Sequence, residues 1–222
     1  MTADTNRILE RLAAGVEPVR PLATPWRRAA AWCGVSLAYV GAVAVTMSVR
    51  RDVISTLSDS GFVVEQMAAL LTGVAAATAA LATTIPGYSR KILLLPLLPL
   101  AVWLGNVGQS CVQDWMAIGP QNWAIAEHWP CLVVTIVAGA LPSVAMVLML
   151  RRGAPLTPGL TLALGGLAAG ALGHFGSRLV HPLDASVVVL VWHIGTVLGL
   201  CLLARLAGRH FLTWRSLVQA AD

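Results

Sequence analysis

The amino-acid sequence predicts an all-α membrane protein, with six transmembrane helices and a short cytoplasmic N-terminal amphipathic helix. Three observations lead to this fold class. Of the 222 residues, 57% are hydrophobic and only 11% are charged, whereas soluble domains contain about 25% charged residues. The apolar residues form six runs whose lengths are close to the roughly 20 residues of a membrane-crossing helix. The positive charges concentrate in alternate connections, as they do in multi-pass membrane proteins.

Residues 1–28 form a polar tail in which a short amphipathic helix is predicted. Thr5 and Asn6 can cap its N-terminus, and Gly15 followed by three prolines ends it. Its apolar face comprises Ile8, Leu9, Leu12 and Val16, and its charged rim comprises Arg7, Glu10 and Arg11. Such a helix can lie on a membrane surface or dock against a soluble partner, and the residues alone favour neither.

Six spans are predicted in the rest of the chain. They cover residues 29–48, 62–85, 92–107, 131–150, 160–179 and 186–206. Trp26 and Trp32 are expected to anchor the first span at the membrane interface. The second and fifth spans are rich in Ala and Gly, which favours close packing between helices in lipid. The third is short and contains Pro96 and Pro99, so we expect it to be kinked.

The orientation follows from the positive charges. Twelve of the 15 Lys and Arg residues lie in the N-terminal tail, in the connections after the second and fourth spans, or at the C-terminal end. Because positively charged connections stay in the cytoplasm, both termini are predicted to be cytoplasmic. The chain then divides into a cytoplasmic tail at 1–28, a membrane domain at 29–207 with an outer loop at 108–130, and a second cytoplasmic tail at 208–222.

The outer loop and the start of the fourth span carry two of the four cysteines, Cys111 and Cys131, and the loop contains no Lys or Arg. Thiols outside the cytoplasm are in an oxidising compartment, where a disulfide can persist. Three interpretations fit this pair: a structural disulfide, a redox or metal sensor, and a catalytic thiol pair. His128 or His181 could complete a soft-metal ligand set with the two thiolates. The absence of a CxxC motif disfavours catalysis, whereas the other two interpretations stay open.

Two ionisable residues are predicted near the outer ends of spans, Glu65 and His193. An ionised side chain inside a membrane is costly unless it has a partner. These residues could therefore either reach the interface or take part in function. No ionisable residue is predicted near the middle of a span, where a proton- or ion-coupled carrier would need one. Cys33 and Cys201 also fall within spans, where a free cysteine usually acts as a small apolar residue.

Six short stretches of the sequence resemble the NrsF family. They are NRILERL at 6–12, EPVRPL at 17–22, PGYSR at 86–90, HWPC at 128–131, RRGAPLTP at 151–158 and VWH at 191–193. They follow the family's order and cover essentially the whole chain. The resemblance implies a six-span anti-sigma factor of the bacterial inner membrane. It further implies that the N-terminal segment holds an extracytoplasmic-function sigma factor inactive, and that periplasmic cysteines register metal or oxidative stress.

The resemblance also singles out one cysteine. Cys131, in the stretch HWPC, matches a sensing cysteine of the family. The family's second sensing cysteine follows a His in the last outer loop, where this chain reads LVHPLD at 179–184 and has no cysteine. Either Cys111 takes its place, or His181 serves as a metal ligand instead, or this member senses differently.

The sequence therefore predicts a regulator rather than an enzyme. We expect it to bind a sigma factor through residues near 5–22, to contact the lipid bilayer and to make no direct contact with nucleic acid. No resident cofactor is expected, and a soft metal ion is a candidate signal. A signal at the outer thiols would shift the packing of the spans and change the exposure of the N-terminal helix. The alternative is a small membrane transporter or a thiol-active membrane oxidoreductase.

Overall fold

The computed structural model of the protein describes residues 3–14, 22–47, 53–119, 129–180 and 189–212. Its α-helices are α1 (Ala3–Ala14), α2 (Pro25–Thr46), α3 (Val53–Thr56), α4 (Ser60–Ala82), α5 (Leu97–Ile118), α6 (Trp129–Arg151), α7 (Pro158–Val180) and α8 (Gly195–Phe211). A 3₁₀ turn at Arg90–Leu94 precedes α5, and a π-helical turn at Val189–Ile194 leads into α8. Within the described ranges, six helical segments are long and apolar enough to cross a membrane, as the sequence predicts.

Helix α7 lies at the centre of the bundle and packs against α2, α4, α6 and α8. Its glycines permit this because they let neighbouring backbones approach closely, as small residues do in membrane proteins. A Cβ atom on Gly173 would lie 2.8 Å from the carbonyl oxygen of Thr135 in α6. The Ala-rich α4 is the other strongly buried helix, and it packs along α7.

The indole of Trp32 does not anchor α2 at the interface, contrary to the sequence-based expectation. It is fully buried, and its Nε1 donates a hydrogen bond to the carbonyl oxygen of Pro142 in α6, 2.9 Å away. Trp32 belongs to the buried stripe of α2, which also holds Ala29 and Ser36 at helical spacing. Trp26 is exposed, which is compatible with an interfacial position.

The third span is longer than predicted, and the outer loop starts later than residue 108. Helix α5 continues through Ile118, and Gly119 ends it with a φ of 71°. The polar residues from 109 onward predict a loop. They remain helical because a helix keeps its own backbone hydrogen bonds when it leaves the bilayer. A change in polarity therefore marks the edge of the membrane and not the end of the helix.

The break expected from the prolines falls before α5 and not inside it. Pro96 precedes the first residue of α5, and Pro99 lies in its first turn, where a missing N–H costs no intrahelical hydrogen bond. Asn106 in α5 donates to the carbonyl oxygen of Gly61 at the start of α4, at 3.0 Å. The remaining turns of α5 therefore project beyond the start of α4 by roughly 18 Å, at 1.5 Å per residue. We call this side of the bundle the outer end, following the predicted orientation.

Candidate functional site

The predicted amphipathic helix is present as α1, and its described side chains are exposed. Every side chain that the structure describes on α1 is exposed, including Ile8 at 59% and Leu9 at 49%. The helix begins at Ala3, so the predicted cap at Thr5 and Asn6 is wrong, and both residues lie in its first two turns. The other two residues of the predicted apolar face are Leu12 and Val16. The side chain of Leu12 and the whole of Val16 lie outside the described residues.

The base of α2, where the tail joins the bundle, is fixed by Arg28. This side chain is only 8% exposed. Its Nη1 donates to Oγ1 of Thr84 at 3.1 Å, and its Nη2 donates to the carbonyl oxygen of Met149 at 2.5 Å. We call Arg28, Thr84 and Met149 the inner contact. It connects the first turn of α2 to the residues just after α4 and to the end of α6.

From the sequence alone, Arg28 is one of the positive charges that predict the orientation of the chain. The signal that could have placed it is helical spacing, because Arg28 stands four residues before Trp32 and eight before Ser36 on the buried face of α2. Its neighbour Arg27 is exposed, with its guanidinium 5.3 Å from the ring centre of Trp26. Arg27 thus has the position expected of an orienting charge, and Arg28 has a packing role.

At the outer end, three ionisable side chains meet between the two most buried helices. Glu65 of α4 places Oε1 2.9 Å from Nε2 of His174 and 3.1 Å from Nε of Arg178, both on α7. Oε2 of Glu65 also accepts from Nη2 of Arg178 at 3.4 Å. All three side chains are buried, with Glu65 only 7% exposed. We call Glu65, His174 and Arg178 the outer cluster.

Aromatic rings enclose the outer cluster on two sides. The ring of Trp103 in α5 lies 4.8 Å from that of His174, centroid to centroid. The guanidinium of Arg178 lies 5.6 Å from the centre of the Phe62 ring, a distance suited to a cation–π contact. These rings exclude solvent, and they strengthen the electrostatic interactions inside because the local dielectric constant is low.

In the outer cluster, the carboxylate of Glu65 is the counter-ion of both His174 and Arg178. One carboxylate serves two side chains that can carry positive charge, and the guanidinium of Arg178 would repel a metal cation. For Glu65, simple extension to the membrane interface is therefore excluded. The spacing of His174 and Arg178, four residues apart on one helix face, could have suggested a common partner. The spacing does not identify that partner, because tertiary packing decides which residue of another helix lies opposite His174 and Arg178. The side chain of His193 lies outside the description.

The two predicted sensing cysteines lie at the outer ends of neighbouring helices in the chain. Cys111 stands on the projecting part of α5, where it is half-buried and carries a free thiol. Cys131 is the third residue of α6, and its side chain lies outside the description, as do His128 and His181. Among the residues that are described, no three His, Cys, Asp or Glu side chains are grouped as metal ligands. The thiol pairing and the metal site therefore stay predictions.

The two remaining cysteines have the positions expected of apolar residues. Cys33 is buried on α2 and Cys201 is half-buried on α8, and both carry free thiols. Cys201 contributes its Cα to the contact with Gly166 of α7, where a Cβ on the glycine would lie 3.4 Å away. Both cysteines pack within the bundle, consistent with the predicted role.

Comparison with protein families identifies the chain. Residues 12–214, nearly the whole chain, match the family model NrsF, described as negative regulator of sigma F. Neither the curated proteins nor the solved structures compared with it gave a match. The matched range includes all six membrane-spanning segments and all of the connections between them. The chain therefore belongs to the NrsF family of negative regulators of a sigma factor, as a multi-pass, all-helical membrane protein.

Proposed function

We propose that this protein is an anti-sigma factor that holds an extracytoplasmic-function sigma factor inactive at the bacterial inner membrane. Its tail, residues 1–28, binds the sigma factor in the cytoplasm, residues 29–207 form the membrane domain, and residues 208–222 return to the cytoplasm. The observation that carries the proposal is the exposed apolar face of α1. In a family of sigma-factor regulators, an amphipathic helix whose apolar side chains are exposed is suited to docking.

The docking residues are Ile8, Leu9, Leu12 and Val16. Full burial of one such side chain contributes about 1.5–3 kcal/mol, so the four together offset the several kcal/mol that association costs. This is the helix-in-groove mode of recognition, in which one apolar face enters a hydrophobic groove. Arg7, Glu10 and Arg11 flank that face and set the register of the complex through their charges.

The signal enters at the outer thiols, Cys131 and Cys111. Cys131 is the stronger candidate because it lies in the HWPC stretch shared with the family, and Cys111 is its inferred partner across the loop. A soft metal ion bound by these thiolates with His128 or His181, or oxidation of the two thiols to a disulfide by a periplasmic oxidant, would draw the ends of α5 and α6 together. The proposed response is a change in helix packing that withdraws α1 from the sigma factor.

Deletion of residues 1–21, which leaves Arg28 and the rest of α2 in place, tests this function in cells. The tagged deletion variant is expected to reach the membrane, to lose the sigma factor encoded beside it during purification, and to derepress its regulon. A variant that still co-purifies the sigma factor and still represses would overturn the proposal. The full-length chain with Ala14→Ser serves as the control, because Ala14 lies on the side of α1 opposite Ile8 and Leu12.

A further inference from the structure

We propose that α4 transmits the regulatory signal, from the outer cluster at one end of the helix to Arg28, at the base of the N-terminal tail, at the other. This inference rests on the proposed function and adds the element and the residues that carry regulation. It follows from the distribution of contacts along α4. Charged and polar contacts with other helices lie at its two ends, and its middle packs through small apolar residues.

At the outer end of α4, one carboxylate is shared between two side chains of α7. Oε1 of Glu65 is within 2.9 Å of His174 and 3.1 Å of Arg178, which lie one turn apart on α7. In a buried site, loss of one of these interactions leaves a charge without its partner, a change that is large compared with the same loss in water. A change at this end of α4 therefore carries a large energetic consequence, which suits a contact that takes part in regulation.

The middle of α4 favours movement of the helix as one piece. The helix is continuous from Ser60 to Ala82, so Glu65 and its inner end are separated by about 26 Å along the axis. Fully buried alanines at 69, 76, 77, 79 and 80 face the neighbouring helices. At Gly73, a Cβ would lie 2.6 Å from Cδ1 of Leu172 in α7. Because α4 is continuous and closely packed here, a displacement at one end is passed to the other end by the whole helix.

The inner end of α4 is bonded directly to the base of the tail. Thr84, two residues after α4, accepts a hydrogen bond on Oγ1 from Nη1 of Arg28. Its carbonyl oxygen accepts from the backbone N–H of Ala154 at 3.1 Å, so the residue sits between two other inner segments. Any shift of α4 moves the acceptor of Arg28, and Arg28 lies in the first turn of α2, to which the tail is attached.

Stability and orientation alone do not require these buried charged contacts. Well-packed apolar residues stabilise a helix interface as well as a buried ion pair does, and orientation needs positive charge but not its burial. Arg27 supplies an exposed charge at the same helix end, yet the adjacent Arg28 is buried against α4. Charged residues contact α4 at both of its ends, with the outer cluster at one end and Arg28 at the other. Such contacts are suited to change when the protein responds to a signal.

The test is a double-mutant cycle in the full chain, with sigma-dependent transcription read from a reporter and protein amount measured in membranes. Glu65→Gln and Arg28→Gln are each expected to raise unstimulated transcription by roughly five-fold or more, the lower range of allosteric couplings. Because both act on one coupling, the double variant should give no more transcription than the stronger single variant. Independent, multiplying effects at parental protein amounts would overturn the proposal.

Two matched controls separate coupling from general damage. Thr72→Val alters a buried residue two turns from Glu65 whose hydroxyl bonds only within α4, to the carbonyl oxygen of Ala68 at 2.7 Å. Arg27→Gln removes the same charge as Arg28→Gln from an exposed neighbour. Both are expected to leave transcription at the parental level. If they raise it as much as the paired variants do, the proposal fails.

A milder variant covers the case in which Glu65→Gln does not accumulate in the membrane. Thr84→Val keeps the shape of the side chain and removes the acceptor of Arg28, and it is expected to raise transcription in the same direction. If Thr84→Val and Arg28→Gln are both present in parental amounts and both leave transcription at the parental level, the proposed coupling is wrong. The function itself is tested separately by Ile8→Ser with Leu9→Ser: if that variant releases the sigma factor while the coupling variants do not, only the coupling is wrong.

Discussion

Glu65 and His174 join the two most buried helices of the bundle, with Oε1 of the carboxylate 2.9 Å from Nε2 of the imidazole. Arg178 completes the arrangement one turn further along α7. In a membrane protein of which only 11% of the residues are charged, three ionisable side chains in one buried cluster define how α4 and α7 are held together. Four predictions can be measured. They concern the outer cluster, the packing of α7 against α6, the apolar face of α1 and the outer thiols.

Removal of the guanidinium should destabilise the protein strongly. In Arg178→Met the carboxylate of Glu65 stays buried without its cationic partner, so we expect a loss of about 3–5 kcal/mol in the free energy of unfolding. Adding Glu65→Gln to that variant should recover most of the loss because the buried charge is then gone. Unfolding of the purified protein in detergent measures both. A loss no larger than that of Thr72→Val would contradict the ion pair.

The close approach of α7 to α6 can be tested at a single glycine. In Gly173→Ala the new methyl group would lie 2.8 Å from the Thr135 carbonyl oxygen, so overpacking should cost about 1–3 kcal/mol. The matched control is Gly105→Ala in α5, where no atom lies within 4 Å of the new methyl group. That substitution should be neutral or stabilise the helix by up to about 1 kcal/mol. Equal effects at both sites would contradict the packing.

The apolar face of α1 should determine the affinity for the sigma factor. Ile8→Ser and Leu9→Ser each remove an apolar side chain that burial in a complex would stabilise by about 1.5–3 kcal/mol. Each is therefore expected to weaken binding roughly ten-fold or more, measured as sigma factor retained on isolated membranes. Ala14→Ser, on the opposite side of the helix, should bind as the parent does. Comparable weakening by all three would show that the helix has no docking face.

The outer thiols should be required for the response and not for repression. Cys131→Ser and Cys111→Ser are expected to repress normally in the unstimulated state and to lose induction by metal or oxidant, with Cys131→Ser the more severe. Thiol labelling and sigma-dependent transcription, read from the same cultures, measure this. Cys201→Ala removes a thiol from within the bundle and should respond as the parent does. If both outer variants keep the parental response, the sensing role is wrong.

Hydropathy predicts the spans well because the membrane imposes a length and a polarity on every crossing helix. The six segments of the structure overlap the six predicted runs. The largest difference is the end of α5, where the mostly polar stretch 109–114 is helical. Polarity shows where the chain leaves the bilayer, and the φ of Gly119 decides where the helix ends. Only the first of these can be predicted from composition.

The partners of buried polar residues could not be predicted, because they depend on which helix faces which. Glu65 gave no indication of its partners, since His174 and Arg178 are more than 100 residues away in the chain. Arg28 looked like one of several orienting charges until α4 and α6 were placed beside it. Helical spacing within one span, such as the four residues from Arg28 to Trp32, predicts which residues share a face. It does not predict what that face meets.

The proposed function requires that the N-terminal tail of this membrane protein binds and inhibits a sigma factor. The most direct measurement uses the purified full-length protein in lipid nanodiscs, titrated against extracytoplasmic-function sigma factors of the same bacterium, with in vitro transcription as the readout. We expect the full-length protein to bind the sigma factor and to inhibit transcription, and the protein without residues 1–21 to do neither. Equal binding and inhibition by the two proteins would contradict it.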